Sequence, residues 1–137
     1  MQRSFLDTNI FLRHLLNDHA DHGPRAHRLF QAIERREVMG WTSPLVVAEI
    51  VFILSNSRTY AVPRSEIRDR LLPLLRLPGI GLERKRLFDR VFELYTTLAI
   101  DYIDCYHAAL IEHFGQESLY SFDADFDMVP ARSRSEP

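Results

Sequence analysis

The sequence predicts an α/β fold with a mainly parallel sheet of four to five strands and helices on both faces. Three observations carry this. Short apolar runs alternate with longer segments of helical periodicity. Helix start signals follow several of the runs directly. And 137 residues of which 46% are hydrophobic and 26% charged suit one ordinary domain with a continuous core. No internal repeat or linker interrupts residues 1–137, so a single domain is expected.

Arg3–Leu6 reads as a short buried strand ending at Asp7, followed by a helix through Leu16. Asn17–Gly23 is a polar loop. Pro24 suits the first turn of a second helix reaching about Glu37, with Ala26, Leu29, Phe30 and Ile33 on one face. Val38–Thr42 is a second strand. Ser43-Pro44 supplies an N-cap and a first-turn proline for a helix through about Ser57. Arg64–Leu77 and Arg84–Leu98 are two further helices, separated by Pro78–Leu82 with room for a brief strand. Asp101 caps a helix from Tyr102 to Phe114, and Gly115 stops it. Ser118–Phe122 is the last clear strand. The tail, 131–137, is a short edge strand or a frayed end.

Composition excludes several classes. One cysteine, Cys105, rules out a disulfide framework and a Cys-rich zinc module and points to a reducing, cytoplasmic setting. The longest apolar stretches are about ten residues, too short to span a bilayer, and no signal peptide is read at the N-terminus. No glycine-rich phosphate loop or nucleophile elbow is present.

Charge is unevenly placed although the net value is only −2. Arg64 to Arg90 holds eight basic residues against four acids, whereas Val91 to Ala131 holds eight acids and no Lys or Arg. Such a segment repels itself unless a cation neutralises part of it, whether a metal or arginines from elsewhere.

Four carboxylates stand out. Asp7, with Thr8 and Asn9, joins the first strand to the first helix, where a cap alone would explain it. Glu49 is the only charge in Leu45–Leu54; a helix apolar on nearly all sides is mostly buried, and a carboxylate there needs a partner or a metal unless it takes the one solvent-facing position. Asp104 follows Asp101 by three residues, which permits a capping box, yet apolar and aromatic residues surround it. Asp123, Asp125 and Asp127 open like an EF-hand loop, but Met128 replaces the required Gly and Arg134 the terminal Glu, so a calcium hand is rejected. Within that turn Asp125 is expected to face solvent. Asp7 and Asp123 each follow a strand, where parallel sheets place their ligand sites. Asp7, Glu49, Asp104 and Asp123 together are therefore expected to converge as an oxygen-only site for a hard cation, Mg²⁺ or Mn²⁺. His14, His19, His22 and His27 cluster around a polar loop without cysteine partners, a weak zinc pattern. His107 and Cys105 read as a satisfied helix histidine and a buried thiol.

Taken in order, Phe5-Leu6-Asp7-Thr8-Asn9, Ala48-Glu49, Asp104-Cys-Tyr-His-Ala-Ala109 and Ser121-Phe-Asp123 resemble the motifs of the PIN domain. From Arg3 to about Arg134 the chain is similar to the VapC-type toxin ribonucleases of bacterial toxin–antitoxin pairs. The resemblance implies a three-layer α/β/α sandwich and a metal-dependent endoribonuclease that cleaves RNA by metal-activated water. It also implies a homodimer held inactive by a cognate antitoxin. It assigns Asp7, Glu49, Asp104 and Asp123 to the acidic quartet, with Thr8, Asn9, Ser121 and Asp127 in support; Ser121 stands where the family often has Thr. Other readings are a catalytically silent RNA-binding or scaffold domain and an acidic-pocket phosphohydrolase. An aspartyl-phosphate enzyme would want a second Asp at position 9, and a receiver-like domain a Lys after a late strand, whereas Lys85 opens a helix.

Overall fold

A computed structural model of the chain describes residues 2–130 and 132–137. Its elements run β1 (Arg3–Phe5), α1 (Thr8–Leu16), α2 (His22–Glu34), β2 (Met39–Trp41), α3 (Pro44–Ser55), α4 (Arg64–Leu75), β3 (Ile80–Gly81), α5 (Leu87–Thr97), α6 (Tyr102–His113), β4 (Ser118–Tyr120), a 3-10 turn (Ala124–Met128) and β5 (Ser133–Ser135). The α/β class and the parallel pairing are as the sequence predicts. The five strands, however, form two sheets among the described residues, β1-β2-β3 and β4-β5, and every pairing is parallel. The chain clusters into two compact units, Met1–Lys85 and Arg86–Pro137.

In the first unit, β1 pairs with β2 in the register Arg3↔Met39 to Phe5↔Trp41, and β2 pairs with β3 through Gly40↔Ile80. Parallel neighbours need long crossovers, here α1 with α2 and α3 with α4. The pairing extends one residue past β1. The Leu6 amide donates to the Trp41 carbonyl at 2.8 Å, and the buried Thr42 hydroxyl donates to the Leu6 carbonyl at 2.9 Å. Gly40 is required beside this join, because a Cβ there would lie 2.7 Å from a Leu6 methyl. Phe11, Ile33, Val47, Ile50, Ile67 and Leu71 are fully buried.

Helix ends fall where local chemistry places them. Ser43 caps α3, its Oγ accepting from the Val46 amide at 3.3 Å. The second helix stops at Glu34, short of Glu37, because Arg36 turns left-handed with φ 61. Helix α3 ends at Ser55 rather than Ser57, since Asn56 goes extended and its side chain takes the Arg58 amide at 2.9 Å. The chain's one lysine, Lys85, donates its ammonium to the Leu77 and Ile80 carbonyls, clasping the turn before and into β3. It lies ahead of α5, which starts at Leu87 and not Arg84 because Arg84 has φ 48. Committed to two carbonyls, Lys85 is not the free cation that a receiver-like pocket requires.

In the second unit, α5 and α6 pack through the buried Phe88, Val91, Phe92, Cys105, Ala108 and Ala109. Arg90 links them at the surface, donating to both Glu112 oxygens and to Glu93. The tail forms an edge strand: β5 pairs with β4 in the register Ser118↔Ser133 to Tyr120↔Ser135. Position 131, where the tail was predicted to open, lies outside the described residues. Strand β4 stops at Tyr120 because Ser121, its amide still donating to the Ser135 carbonyl, accepts the Asp123 amide on its Oγ at 3.0 Å and turns the chain. Among the described residues no helix is long and apolar enough to cross a membrane.

The Thr42 bond gives a stability test. Thr42→Val keeps the shape but strips the buried Leu6 carbonyl of its hydroxyl partner, so unfolding free energy should fall by about 1 kcal/mol. Urea titration should show a lower midpoint at unchanged slope.

Candidate metal centre

The second unit gathers carboxylates. Asp104 comes from the first turn of α6, and Asp123 caps the 3-10 turn with its Oδ1 accepting from the Asp125 amide at 2.9 Å. One potential ligand atom from each of Asp104, Asp123 and Asp125 lies within 4.8 Å of the others. Asp104 is half-buried and the other two are exposed. None of the three has an ion-pair partner among the described residues.

Two of the three were predicted. Asp125 was expected to face solvent; it is exposed, yet it stands with Asp104 and Asp123. Asp127, grouped with the site from sequence, is held elsewhere. The Arg134 guanidinium donates to its two carboxylate oxygens at 2.9 and 3.2 Å and to the Ser121 carbonyl at 3.1 Å. That pair pulls the Asp127 carboxyl below its usual range, through the hydrogen bond first. A D-x-D-x-D turn offers three acids, and Arg134 takes one. Nothing local to the turn signals this, because Arg134 reaches it through the β4–β5 pairing.

The Asp104 carboxyl is shifted upward, first by partial burial, then by the charges of Asp123, Asp101 and Asp125, with His107 opposing. Asp101 occupies the N-cap position but its side chain makes no capping bond, so the capping-box explanation of Asp104 fails. Three carboxylates offer only hard oxygen donors, which fits a divalent hard cation and not zinc in a Cys/His cage.

The other two predicted acids belong to the first unit. Asp7 is the N-cap of α1; its Oδ1 accepts from the Thr8 amide at 2.8 Å, Thr8 is buried and Asn9 exposed. Glu49 corrects the sequence reading: it is exposed rather than buried. Helix α3 turns Val46, Val47, Ile50, Val51 and Leu54 inward, and its outward stripe holds Glu49 between Leu45 and Phe52, which are 81% and 67% exposed. Composition alone hides that face because its neighbours are apolar too. The histidines form stacked pairs, His14 with His27 and His19 with His22, and no metal-binding group of three includes them among the described residues.

A family model described as "PIN domain" matches residues 4–131. The chain belongs to the PIN domain family. It is also similar to the ribonuclease VapC2 of Methanocaldococcus jannaschii, 22% identical over 91% of this chain and 87% of that protein. Among solved structures it is similar to Mycobacterium tuberculosis VapC20, described as a toxin that cleaves the sarcin-ricin loop (21% identity, 93% and 95% coverage, TM-score 0.41). Another is VapBC2 of Rickettsia felis bound to a promoter DNA fragment (17% identity, 98% of each chain, TM-score 0.38).

The raised Asp104 pKa makes a signed prediction for this PIN chain. A carboxyl whose folded pKa exceeds its unfolded value contributes stability below the unfolded value and loses it as pH rises through the folded one. In chelator, Asp104→Asn should therefore melt higher than the parent at pH 7, and the gap should close by pH 4. Thermal melts across that range check it.

Proposed function

We propose that this PIN protein is a divalent-metal-dependent endoribonuclease, the toxin of a cytoplasmic toxin–antitoxin pair. The observation that carries the reading is the convergence of Asp104, Asp123 and Asp125 in a chain that matches the PIN family from 4 to 131. The similarity to a curated VapC2 ribonuclease supports RNA as the substrate.

In this reading Asp7, Glu49, Asp104 and Asp123 hold Mg²⁺ or Mn²⁺, and Asp125 joins them. A bound divalent cation supplies a water of lowered pKa and neutralises charge developing on the phosphate. The chain's own residues prepare the place. The helix start at α6 opposes part of the burial and charge repulsion that push the Asp104 carboxyl up, and a bound cation would remove the rest. The Ser121 hydroxyl fixes the Asp123 backbone, and Asp123 in turn orders the Asp125 amide. Arg134 keeps Asp127 out of the group and ties the tail to the turn. Thr8 and Asn9 lie beside Asp7 at the start of α1.

The partner is a small antitoxin, with the toxin itself a homodimer as the resemblance implies. A guanidinium bonds two carboxylates at once and so replaces a cation. An antitoxin arginine entering the acidic group would compete with both metal and RNA phosphate.

Incubation of the pure protein with mixed RNAs and Mg²⁺, Mn²⁺ or chelator, followed by sequencing of new ends, tests the activity. Cleavage should require the metal, and Asp104→Asn should lower it by about 100-fold or more while the protein stays folded. Cleavage in chelator, or by the variant at the parent rate, would overturn the assignment. Mg²⁺ at 100 times its Kd should also stabilise the parent by about 2.7 kcal/mol at pH 7, and the variant by clearly less. Co-purification with the product of the adjacent gene should suppress cleavage, and replacing that protein's arginines should restore it.

A further inference from the structure

Helices α1 and α2 enclose a groove of about 510 Å³ that the acidic site does not use. It is lined by the apolar Ile10, Ala26 and Leu29 together with Asn9, Arg13, His22 and Arg25, with no acid among the lining residues. Helix α1 starts at Asp7. Asn9 therefore lies in its first turn, and Arg13 about 9 Å along the axis from Asp7, at 1.5 Å per residue. The lining thus includes a residue of the first turn after Asp7 and two arginines, one from each helix.

We propose that this groove is a subsite for a nucleotide of the single-stranded RNA flanking the cut, its phosphate bound by Arg13 and Arg25 and its base resting on Ile10, Ala26 and Leu29. The inference rests on the nuclease reading. Both arginines are held in place for a ligand but not committed to the fold. Arg13 meets Asp18 and Arg25 meets Asp21, each at 3.3 Å, with the acids 43% and 67% exposed. Exposed pairs of this kind contribute little, so a phosphate, which accepts two guanidinium bonds, displaces the acids at small cost. The backbone at the start of α2 is not the anion site, because the Asp21 and His22 amides already donate to His19 Nδ1. A groove of this volume suits a small-molecule moiety such as a single nucleotide. The apolar strip gives a base a surface to lie on, and guanidinium planes stack on bases as well as bind phosphate.

The test is fluorescence anisotropy of a labelled, mixed-sequence, single-stranded RNA with the full chain in chelator, comparing the parent, Arg13→Gln/Arg25→Gln and the control Arg35→Gln. Arg35 is an exposed arginine paired with Glu37 outside the groove. The double variant should bind about tenfold more weakly, and its plot of log affinity against log salt should be shallower by about 0.7, the loss of one neutralised phosphate. The control should bind like the parent. With Mn²⁺ present, KM for cleavage should rise by a similar factor while kcat stays within about twofold, since binding away from the reacting bond is what is lost. If the double variant fails to fold by circular dichroism, each single variant should show about a threefold loss. Unchanged RNA affinity in a folded variant overturns the proposal. So does a variant that keeps RNA affinity but no longer captures the adjacent gene's product, which would make the groove a protein-docking surface. A parent that cleaves RNA while the variant binds and cleaves equally well overturns the groove alone. A parent that neither binds nor cleaves RNA with any divalent cation overturns the nuclease reading beneath it.

Discussion

Strands of two and three residues make few ladder bonds, so the first unit depends on how β1 ends. Leu6 answers this with both of its backbone groups: its amide donates to Trp41 and its carbonyl accepts the Thr42 hydroxyl. The next residue after one strand end is Asp7, cap of α1, and after the other Ser43, cap of α3. One buried join therefore sets where two helices begin. It places Thr8 and Asn9 in the first turn of one, and Glu49 in the second turn of the other. Gly40 is small because Leu6 fills the space beside it.

The second unit is governed by charge. Eight acids between Val91 and Ala131 have no Lys or Arg among them, and arginines just outside the segment neutralise some of them. Arg90 holds Glu93 and Glu112, and Arg134 holds Asp127. What remains together is Asp104, Asp123 and Asp125. The site is defined as much by which acids are removed as by which are present. Partial burial first, and then the charges left around it, push the Asp104 carboxyl upward, while the Arg134 hydrogen bond pulls Asp127 down.

Much of this was legible in the sequence, for reasons that differ by element. Ser43-Pro44 announces α3 because cap and first-turn chemistry are local. The parallel pairing follows from alternating strands and helices. Asp104 and Asp123 stand out because apolar neighbours and strand ends are visible in one dimension. Glu49 misled: composition shows that α3 is apolar, but not that its outward stripe is apolar as well, through Leu45 and Phe52. That Asp127 is tied to Arg134 while Asp125 stands with Asp104 and Asp123 was hidden because Arg134 acts from β5, and that pairing is non-local. Among the described residues the strands divide into two sheets, which periodicity does not express, since it gives strand positions and not partners. Left-handed Arg36 and Arg84 shortened two helices without the glycine that usually marks such a stop.

Lys85 has a practical consequence. It is the chain's single lysine, its ammonium bonded to two carbonyls and its pKa lowered by burial. Every other basic side chain apart from the histidines is a guanidinium. Lysine-directed cross-linkers and acylating dyes therefore meet one side-chain amine, and that one is engaged in holding a turn. Such reagents would leave nearly the whole surface unmarked and would disturb β3 where they did react. Carboxyl- or guanidinium-directed reagents report on the faces that matter here, and a lysine protease would have one guarded bond to cut.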